Sequence, residues 1–254
     1  MKKQILYIVL ALITISCGIS EDCFKGNGSP ITQTFPLENF TKIKVYDGVG
    51  LVIKEGPNYE VKITTSDKII GDIEVKLEGD MLIVKDHSTC NIARDYGQTT
   101  VYVTIPDGTN SPLIQELELH CKTEQKIASE GILHSPIIRL YSIDLSDGAG
   151  TGDFHLTVDN GQLVVESNNV SNFYLSGQSE NLHVFFSWGN GIFKGENLHV
   201  NNITFYHRGS NDMILFPINS LSGSIYSTGN VVLKNEPIQI PNVIAYFSGQ
   251  MFYR

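Results

Sequence analysis

Four aspartates in the second half of the chain are the residues whose type and spacing could support catalysis. Carboxylates act as general bases or bind calcium in enzymes that cleave polysaccharides, and such reactions also need a cation to stabilise the developing negative charge. The few cations of this half share no repeat position with a carboxylate, so solvated turn residues are the favoured interpretation. We therefore predict no catalytic residue and no enzymatic activity. The aspartates are Asp144, Asp147, Asp153 and Asp159.

Three histidines are the candidates for metal binding. His183 and His199 hold equal places in the short repeat Glu-Asn-Leu-His-Val, but their separation is not one period of the chain's longer repeat. His207, beside Arg208, is expected to be the more exposed one. A lone imidazole at a strand end is more often structural than a ligand, because zinc sites combine three or four donors. The sequence thus predicts neither a metal site nor a cofactor.

A column of aromatic residues is the strongest candidate for ligand binding. It follows an apolar column by one residue, and because successive strand residues point to opposite faces, it is predicted to face outward. Stacked rings could form a platform for sugar rings or for a partner protein, with Trp188 at a turn nearby. Alternatively, the rings stabilise neighbouring strands by about 0.2–1 kcal/mol per pair, or lie under the first half of the chain. The column is Phe186, Tyr206, Tyr226 and Tyr246, after Ser146 and Glu166.

A fixed period of about 20 residues positions these candidates. Turn residues recur at Asn169, Gly189, Gly209, Gly229 and Gly249. A period with one turn column and one core column is typical of a solenoid, in which each coil buries its face against the next. Two alternating apolar runs per period make the coils β. We predict an all-β fold, a right-handed single-stranded parallel β-helix. The expected core column is Leu145, Val165, Phe185, Phe205, Ile225 and Ala245.

The first half of the chain shows strict alternation of apolar and polar residues from Phe40 to Ile105, interrupted by turn residues such as Asp47-Gly48. This pattern predicts short strands. No linker of disordered composition separates the halves, so residues 35–254 are predicted to form one domain, with an alternating-strand N-terminal half.

Several segments carry a resemblance to a known family. They are residues 40–45, the Gly56-Pro57 turn between two strands, residues 82–84, residues 101–106 and the ending Ser248-Gly249-Gln250. With these segments the chain resembles the putative auto-transporter adhesin, head-GIN-domain family of bacterial envelope lipoproteins. The resemblance implies a β-helix-like fold on an envelope lipoprotein, and it supplies no catalytic residues.

The N-terminus predicts export. Residues 1–16 form a signal peptide, with Lys2 and Lys3 before an apolar stretch too short to span a bilayer. Cys17 follows a small residue, which resembles a lipobox and predicts lipidation of Cys17; an ordinary secretory signal is the alternative. Residues 17–34 are predicted to be a flexible tether. The expected location is the cell envelope, as an outer-membrane lipoprotein facing outward or towards the periplasm.

The charge and the cysteine content of the chain limit the classes of partner that it is expected to bind. The net charge is -9, and loss of the two lysines of the signal peptide makes it -11. No cluster of Lys and Arg is present, which argues against nucleic acid and against electrostatic docking to a membrane. Export permits disulfides. Because Cys23 lies in the predicted tether, Cys90 and Cys121 are the predicted pair.

The leading hypothesis is a non-enzymatic, adhesin-like protein, bound to the membrane by its lipid, that binds glycan or a protein partner through a repetitive β-helix face. The alternatives are a polysaccharide-processing β-helix enzyme and an envelope scaffold or signalling accessory without a small ligand. An enzyme predicts a cleft with clustered carboxylates and a cation, and a binding protein predicts an exposed aromatic column. A scaffold predicts that the aromatic column is buried or in contact with another chain. The oligomeric state stays open.

Overall fold

The structure is a computed structural model that describes residues 23, 26–88, 95, 97–107 and 114–254. Nearly all regular structure in these residues is β, and a 3₁₀ turn occurs at Ile70–Asp72. The strands, in chain order, are β1 Pro30–Phe35, β2 Lys42–Tyr46, β3 Val49–Gly56, β4 Glu60–Ser66, β5 Ile73–Glu78, β6 Met81–Asp86, β7 Thr99–Pro106, β8 Glu116–Lys122, β9 Ile127–Leu133, β10 Ile137–Ser142, β11 Phe154–Ser167, β12 Phe173–Phe186, β13 Phe193–His207, β14 Met213–Ile225, β15 Val231–Leu233, β16 Asn242–Ala245 and β17 Met251–Tyr253.

The strands form two ladders, and the four long strands β11 to β14 give their first halves to one ladder and their second halves to the other. The first ladder has the order β1-β4-β7-β3-β9, then the first halves of β11 to β14, then β15 and β17. The second ladder has the order β5-β6-β2-β8-β10, then the second halves of β11 to β14, then β16. The molecule is a parallel β-solenoid of about 7 turns, which confirms the predicted fold class.

The order of the first coils along the solenoid differs from their order along the chain. The coil made of β2 and β3 lies between the coil of β6 and β7 and the coil of β8 and β9. The N-terminal half therefore belongs to the same parallel ladders as the rest. Three strands, β1, β4 and β5, pair antiparallel at the N-terminal end of the solenoid. They cover an edge of unpaired backbone groups that would otherwise template association with another chain.

The core is a continuous column of apolar side chains between the two ladders. The rings of Phe154 and Phe173 are stacked, with centroids 4.8 Å apart, and Phe186 packs on Phe173 at 5.6 Å. Each of these rings is at most 1% exposed. Full burial of such a side chain contributes about 1.5–3 kcal/mol, so the stacked phenylalanines are a main source of stability.

The predicted core column is correct at Val165, Phe205 and Ile225, which are buried, and wrong at Leu145 and Phe185, which are 63% and 45% exposed. Ala245 is also exposed. The repeat is not uniform: Glu166 pairs with Phe185, 19 residues on, and Phe185 pairs with Tyr206, 21 residues on. A one-residue slip exchanges the two faces of a strand. Phe186 consequently points inward and is 1% exposed, so its predicted place in the outward column is wrong.

Several predictions about the N-terminus and the cysteines have different outcomes. The signal peptide of residues 1–16, Cys17 and Cys90 lie outside the described residues. The tether prediction is wrong for residues 30–34, which belong to β1 and pair with β4. The predicted Cys90–Cys121 disulfide is wrong, because Cys121 is a free, buried thiol, whereas Cys23 is disulfide-bonded. Within the part of the chain that the structure describes, no helix is long and apolar enough to cross a membrane.

Candidate ligand-binding face

An aromatic stack lies on the outer side of the second ladder. It consists of Phe185, Tyr206, Tyr226 and Tyr246, whose neighbouring ring centroids are 4.8, 4.7 and 4.5 Å apart. Phe185, Tyr226 and Tyr246 are 45%, 39% and 60% exposed, and Tyr206 is half-buried. Three of the four predicted residues are thus brought together on an open face, and Phe185 takes the place predicted for Phe186.

A groove of about 660 Å³, the turn groove, begins where the stack meets the turns that follow the second ladder. Trp188, Arg208, Tyr226 and Phe247 supply its large side chains. Trp188 is 64% exposed and Phe247 is 65% exposed. Since Tyr226 belongs to both features, the stack and the turn groove form one continuous surface. Its smaller lining residues are Asn168, Asn169, Val170, Gly189, Asn190, Ser210 and Ser227.

The turn that carries Trp188 depends on a glycine. Gly189 has φ of 94°, and a Cβ at this position would lie 2.1 Å from the carbonyl oxygen of Asn169 in the preceding coil. Only glycine allows this conformation together with such a close approach of two backbones. The Gly191 N–H donates to the same carbonyl at 3.2 Å, which ties the turns of neighbouring coils together. The repeated turn glycine therefore holds Trp188 at the rim of the turn groove.

Arg208 gives the turn groove its positive charge. Its guanidinium lies 5.2 Å from the centre of the Trp188 ring, a cation–π contact. Its side chain is exposed, and among the described residues it forms no ion pair. An unpaired arginine on a chain of net charge -9 favours a ligand that carries negative charge.

The four predicted carboxylates do not converge. Asp147 accepts hydrogen bonds from Lys44 at 3.1 Å and Tyr46 at 3.3 Å, and its other oxygen lies 2.7 Å from Lys122. The hydrogen bond from Lys122 has the largest effect on the pKa of Asp147. Together with the hydrogen bond from Lys44 it lowers this pKa to about 2. Asp147 lies in an exposed turn, as interpreted from the sequence, and its ion pairs with two lysines anchor that turn. Asp153 and Asp159 accept hydrogen bonds from side-chain amides of the next coil.

The histidines do not form a metal site with one another. His183 lies in the second ladder beside Thr204, whereas His199 lies in the first ladder, with its ring tilted against that of Phe216 at 4.3 Å. His207 was expected to be exposed, but it is fully buried, with its ring 6.2 Å from that of Phe186. Burial lowers the pKa of His207, because the protonated ring would lose its hydration.

The sequence did not predict a second cluster of polar side chains on the first ladder. Glu55, near the end of β3, Asp107, just after β7, and His134, just after β9, bring their candidate ligand atoms within 4.8 Å of one another. The three strands are neighbours in the order β7-β3-β9, which places their ends together. No periodic signal could reveal this cluster, because that order is not the order of the chain.

The fold and the exposed face define a parallel β-solenoid protein with an aromatic outer surface. The chain belongs to the family described as "Putative auto-transporter adhesin, head GIN domain", whose model matches residues 39–237. This membership confirms the family resemblance and supports a non-enzymatic, adhesin-like role at the cell envelope or surface. Among proteins with curated descriptions, none is similar in sequence to this chain.

Three solved structures of similar fold come from species of Bacteroides and Parabacteroides. A putative adhesin from Bacteroides fragilis is 16% identical with a TM-score of 0.73, covering 89% of this chain and 97% of that chain. A putative lipid binding protein from Parabacteroides distasonis is 13% identical with a TM-score of 0.54, covering 89% and 98%. A putative adhesin from Parabacteroides merdae is 16% identical with a TM-score of 0.52, covering 89% and 98%. At these identities the similarity shows the fold.

Proposed function

We propose that the chain is an adhesin-like outer-membrane lipoprotein, anchored through Cys17, that binds glycan through the aromatic stack and the turn groove. The observation that carries the proposal is the continuity of the exposed stack with a groove that also holds an unpaired arginine. Ligand sites combine apolar walls with a few polar groups that fix orientation, and this surface has both.

The chemistry of a sugar matches this surface. The C–H faces of a pyranose ring are apolar and pack on aromatic rings, while its hydroxyl groups require hydrogen-bond partners at the edges. Asn190 and Ser210 line the turn groove with exposed polar side chains, beside Trp188. Arg208 adds a donor for a carboxylate or a sulfate. We therefore expect an acidic glycan to bind more tightly than its neutral counterpart.

The alternatives receive less support. A polysaccharide-processing enzyme that acted in the turn groove would need carboxylates next to a cation there, and the side chains that line this groove include Arg208 but no carboxylate. A scaffold without a small ligand predicts that the stack is covered, and 60% of Tyr246 and 64% of Trp188 are exposed. A protein partner that docks on the same aromatic face would be an outcome of the binding test rather than a separate site.

The test is a glycan array probed with the soluble chain that begins at Ser20. The strands of the described residues lie between Pro30 and Tyr253, so this chain retains all of them. The native chain is compared with a Tyr206→Ala/Tyr226→Ala variant and with Tyr102→Ala, a control on the first ladder that removes a 42% exposed tyrosine. We expect the double variant to lose binding and the control to keep it. Equal binding by all three would exclude the stack as the site.

A second measurement locates the ligand. Trp188 is the single tryptophan of the chain, so its fluorescence reports on the turn groove. Ligand binding should change its emission in the native chain. A glycan that binds without changing this emission would place the site elsewhere.

The lipid anchor is tested separately. Mass spectrometry of the protein isolated from membranes should find acyl groups on Cys17, and a Cys17→Ala variant should be released into the soluble fraction. Retention of this variant in the membrane would contradict anchoring at Cys17, without bearing on glycan binding.

A further inference from the structure

A second site, far along the fold from the aromatic stack, is formed by Glu55, Asp107 and His134. We propose that these three residues bind a divalent transition-metal ion of the zinc class, with a fourth coordination position that faces the adjoining groove. The proposal goes beyond the proposed glycan binding and is independent of it. It rests on the donor set, the preorganisation of Glu55 and the charge of the groove.

The donor set selects the class of ion. One imidazole nitrogen and two carboxylate oxygens lie within 4.8 Å of one another. Zinc takes such ligands at about 2.0–2.2 Å, so two ligands of a tetrahedral ion are about 3.3 Å apart. The wider separations in the set would have to shorten, and Glu55 and His134, whose nearest ligand atoms are now 2.8 Å apart, would have to separate slightly. Calcium prefers six to eight oxygen ligands, roughly twice what three residues offer, and it makes no use of imidazole. A mixed nitrogen and oxygen set therefore favours zinc over calcium.

Glu55 is already held in place. Its side chain is 8% exposed, and its two carboxylate oxygens contact His134: one accepts from the backbone N–H at 2.7 Å and the other lies 2.8 Å from Nδ1. A buried carboxylate in a fixed orientation loses little freedom when it binds an ion. The imidazole is 36% exposed and hence accessible from solvent. Zinc bound between Glu55 and His134 would replace the Nδ1 contact with Glu55, and the nitrogen that binds the ion must present its lone pair to it.

The surrounding groove attracts cations. It measures about 870 Å³, and it is also lined by Glu38 and Glu130. No lysine or arginine is among its described lining residues, and the nearby Lys54 is paired with Glu130 at 3.5 Å. A concave surface whose charges are of one sign concentrates ions of the opposite sign. With three protein ligands, the ion keeps one position open towards this groove, as in zinc sites that exchange a ligand.

The test uses the soluble chain from Ser20, stripped of metal with a chelator and titrated calorimetrically with zinc chloride and, in parallel, with calcium chloride. We expect one zinc ion per chain and weaker or no calcium binding. His134→Ala should weaken zinc binding at least tenfold, and the near-isosteric variants Glu55→Gln and Asp107→Asn should also weaken it. Thermal unfolding checks that each variant is folded, and zinc should raise the melting temperature of the native chain more than that of these three variants.

The matched control is His87→Ala. His87 Nε2 lies 2.6 Å from a Glu74 oxygen on the surface, and within the described part of the chain this histidine–carboxylate pair has no third ligand. Its removal should leave the zinc affinity unchanged. Equal losses in His87→Ala and His134→Ala would mean adventitious binding to surface pairs and would overturn the proposal. Absence of zinc binding by the native chain, or calcium binding tighter than zinc binding, would overturn it as well.

Discussion

The ring of Tyr226 lies 4.5 Å from the ring of Tyr246, and the two ring planes differ by 8°. Neighbouring strands of a sheet are about 4.7–4.9 Å apart, so the rings stack because the backbones beneath them stack. The exposed strip is a consequence of the repeat: an aromatic residue at one position of a solenoid coil meets its equivalent in the next coil. A ligand on this face would contact a continuous apolar strip instead of isolated rings.

Replacement of Arg208 tests whether the ligand is acidic. We expect Arg208→Gln to weaken binding of an acidic glycan by about 1.5–3 kcal/mol, the usual contribution of a hydrogen bond to a charged group. Binding of the same glycan with its carboxyl groups reduced should change little. Calorimetry on the two ligands makes the comparison. The control is Lys194→Gln, which removes a cation 5.4 Å from the Tyr174 ring on the first ladder. Equal losses for both ligands would contradict a charge contact through Arg208.

The sequence predicted the features that depend on local repetition. A turn residue every 20 positions requires close backbone contacts between coils, and Gly189, Gly229 and Gly249 each lie where a Cβ would approach a carbonyl of the preceding turn to within 2.1–2.3 Å. The solenoid and most of the aromatic stack follow from that repetition. The register could not be counted with the same accuracy, because the coils differ in length: β11 and β12 are offset by 19 residues, whereas a bulge after Lys194 raises the offset of β12 and β13 to 21. An offset one residue away from 20 exchanges Phe185 and Phe186 between the two faces.

Features that depend on long-range topology were not predictable. The coil of β6 and β7 is inserted before the coil of β2 and β3, and this order brings Glu55 and Asp107 together. The alternating pattern in the first half of the sequence does not indicate this order of the coils. The free thiol of Cys121 has the same origin, since a pairing chosen because Cys23 lay in the predicted tether ignores which way each side chain points. Cys121 points into the core, where its thiol lies 3.3 Å from the Thr123 carbonyl.

Gly189→Ala should destabilise the protein by about 1–3 kcal/mol, because a non-glycine residue is strained at positive φ and its Cβ would clash with the Asn169 carbonyl. Urea unfolding measures the change. Gly71→Ala is the control: this glycine has no atom within 4 Å of an added Cβ and its φ is not positive. Its effect should stay within about 0.5 kcal/mol. Because Trp188 precedes Gly189, the emission of Trp188 should also shift in Gly189→Ala and not in Gly71→Ala.

Asp147 should make stability depend on acid pH. Its pKa is about 2 in the folded protein and about 3.9 in the unfolded chain, so its ion pairs stabilise the fold above about pH 4. This contribution is lost as the pH falls towards about 2. The free energy of unfolding of Asp147→Asn should therefore depend less steeply on pH in that range.

The control for Asp147 is Glu74→Gln. The hydrogen bonds from Lys76 and His87 also lower the pKa of Glu74 to about 2, but Glu74 lies on the surface, where salt screens such pairs. In about 0.5 M salt we expect Glu74→Gln to match the native profile. The Lys122 side chain is 5% exposed, so the contribution of Asp147 to stability should persist at the same salt concentration. A native-like profile for Asp147→Asn in high salt would contradict this account.

His207 should make stability depend on pH closer to neutrality. It is fully buried, and among the described residues its ring nitrogens make no hydrogen bond of good geometry, although the Asn211 backbone lies close enough to interact with the ring. Burial lowers its pKa below the usual value of about 6.5, while the Asn211 backbone and Asp212 act in the opposite direction with smaller effect. The unfolded chain thus binds a proton more readily than the folded protein. Stability due to neutral His207 is complete above about pH 6.5 and decreases as the pH falls below it.

The test compares the native chain with His207→Gln, which cannot titrate, in urea unfolding at pH 7.5, 6.5 and 5.5, values that span about one unit on either side of the ordinary histidine pKa. We expect the native chain to lose stability over this range more steeply than the variant. His155→Gln is the comparison at a less buried position: burial also lowers the pKa of His155, but the ring is half-buried and stacks on Tyr174 at 4.5 Å. Replacement of His155 should reduce the pH dependence of stability less than replacement of His207 does. Parallel profiles for the native chain and His207→Gln would mean that the buried imidazole finds a partner once protonated.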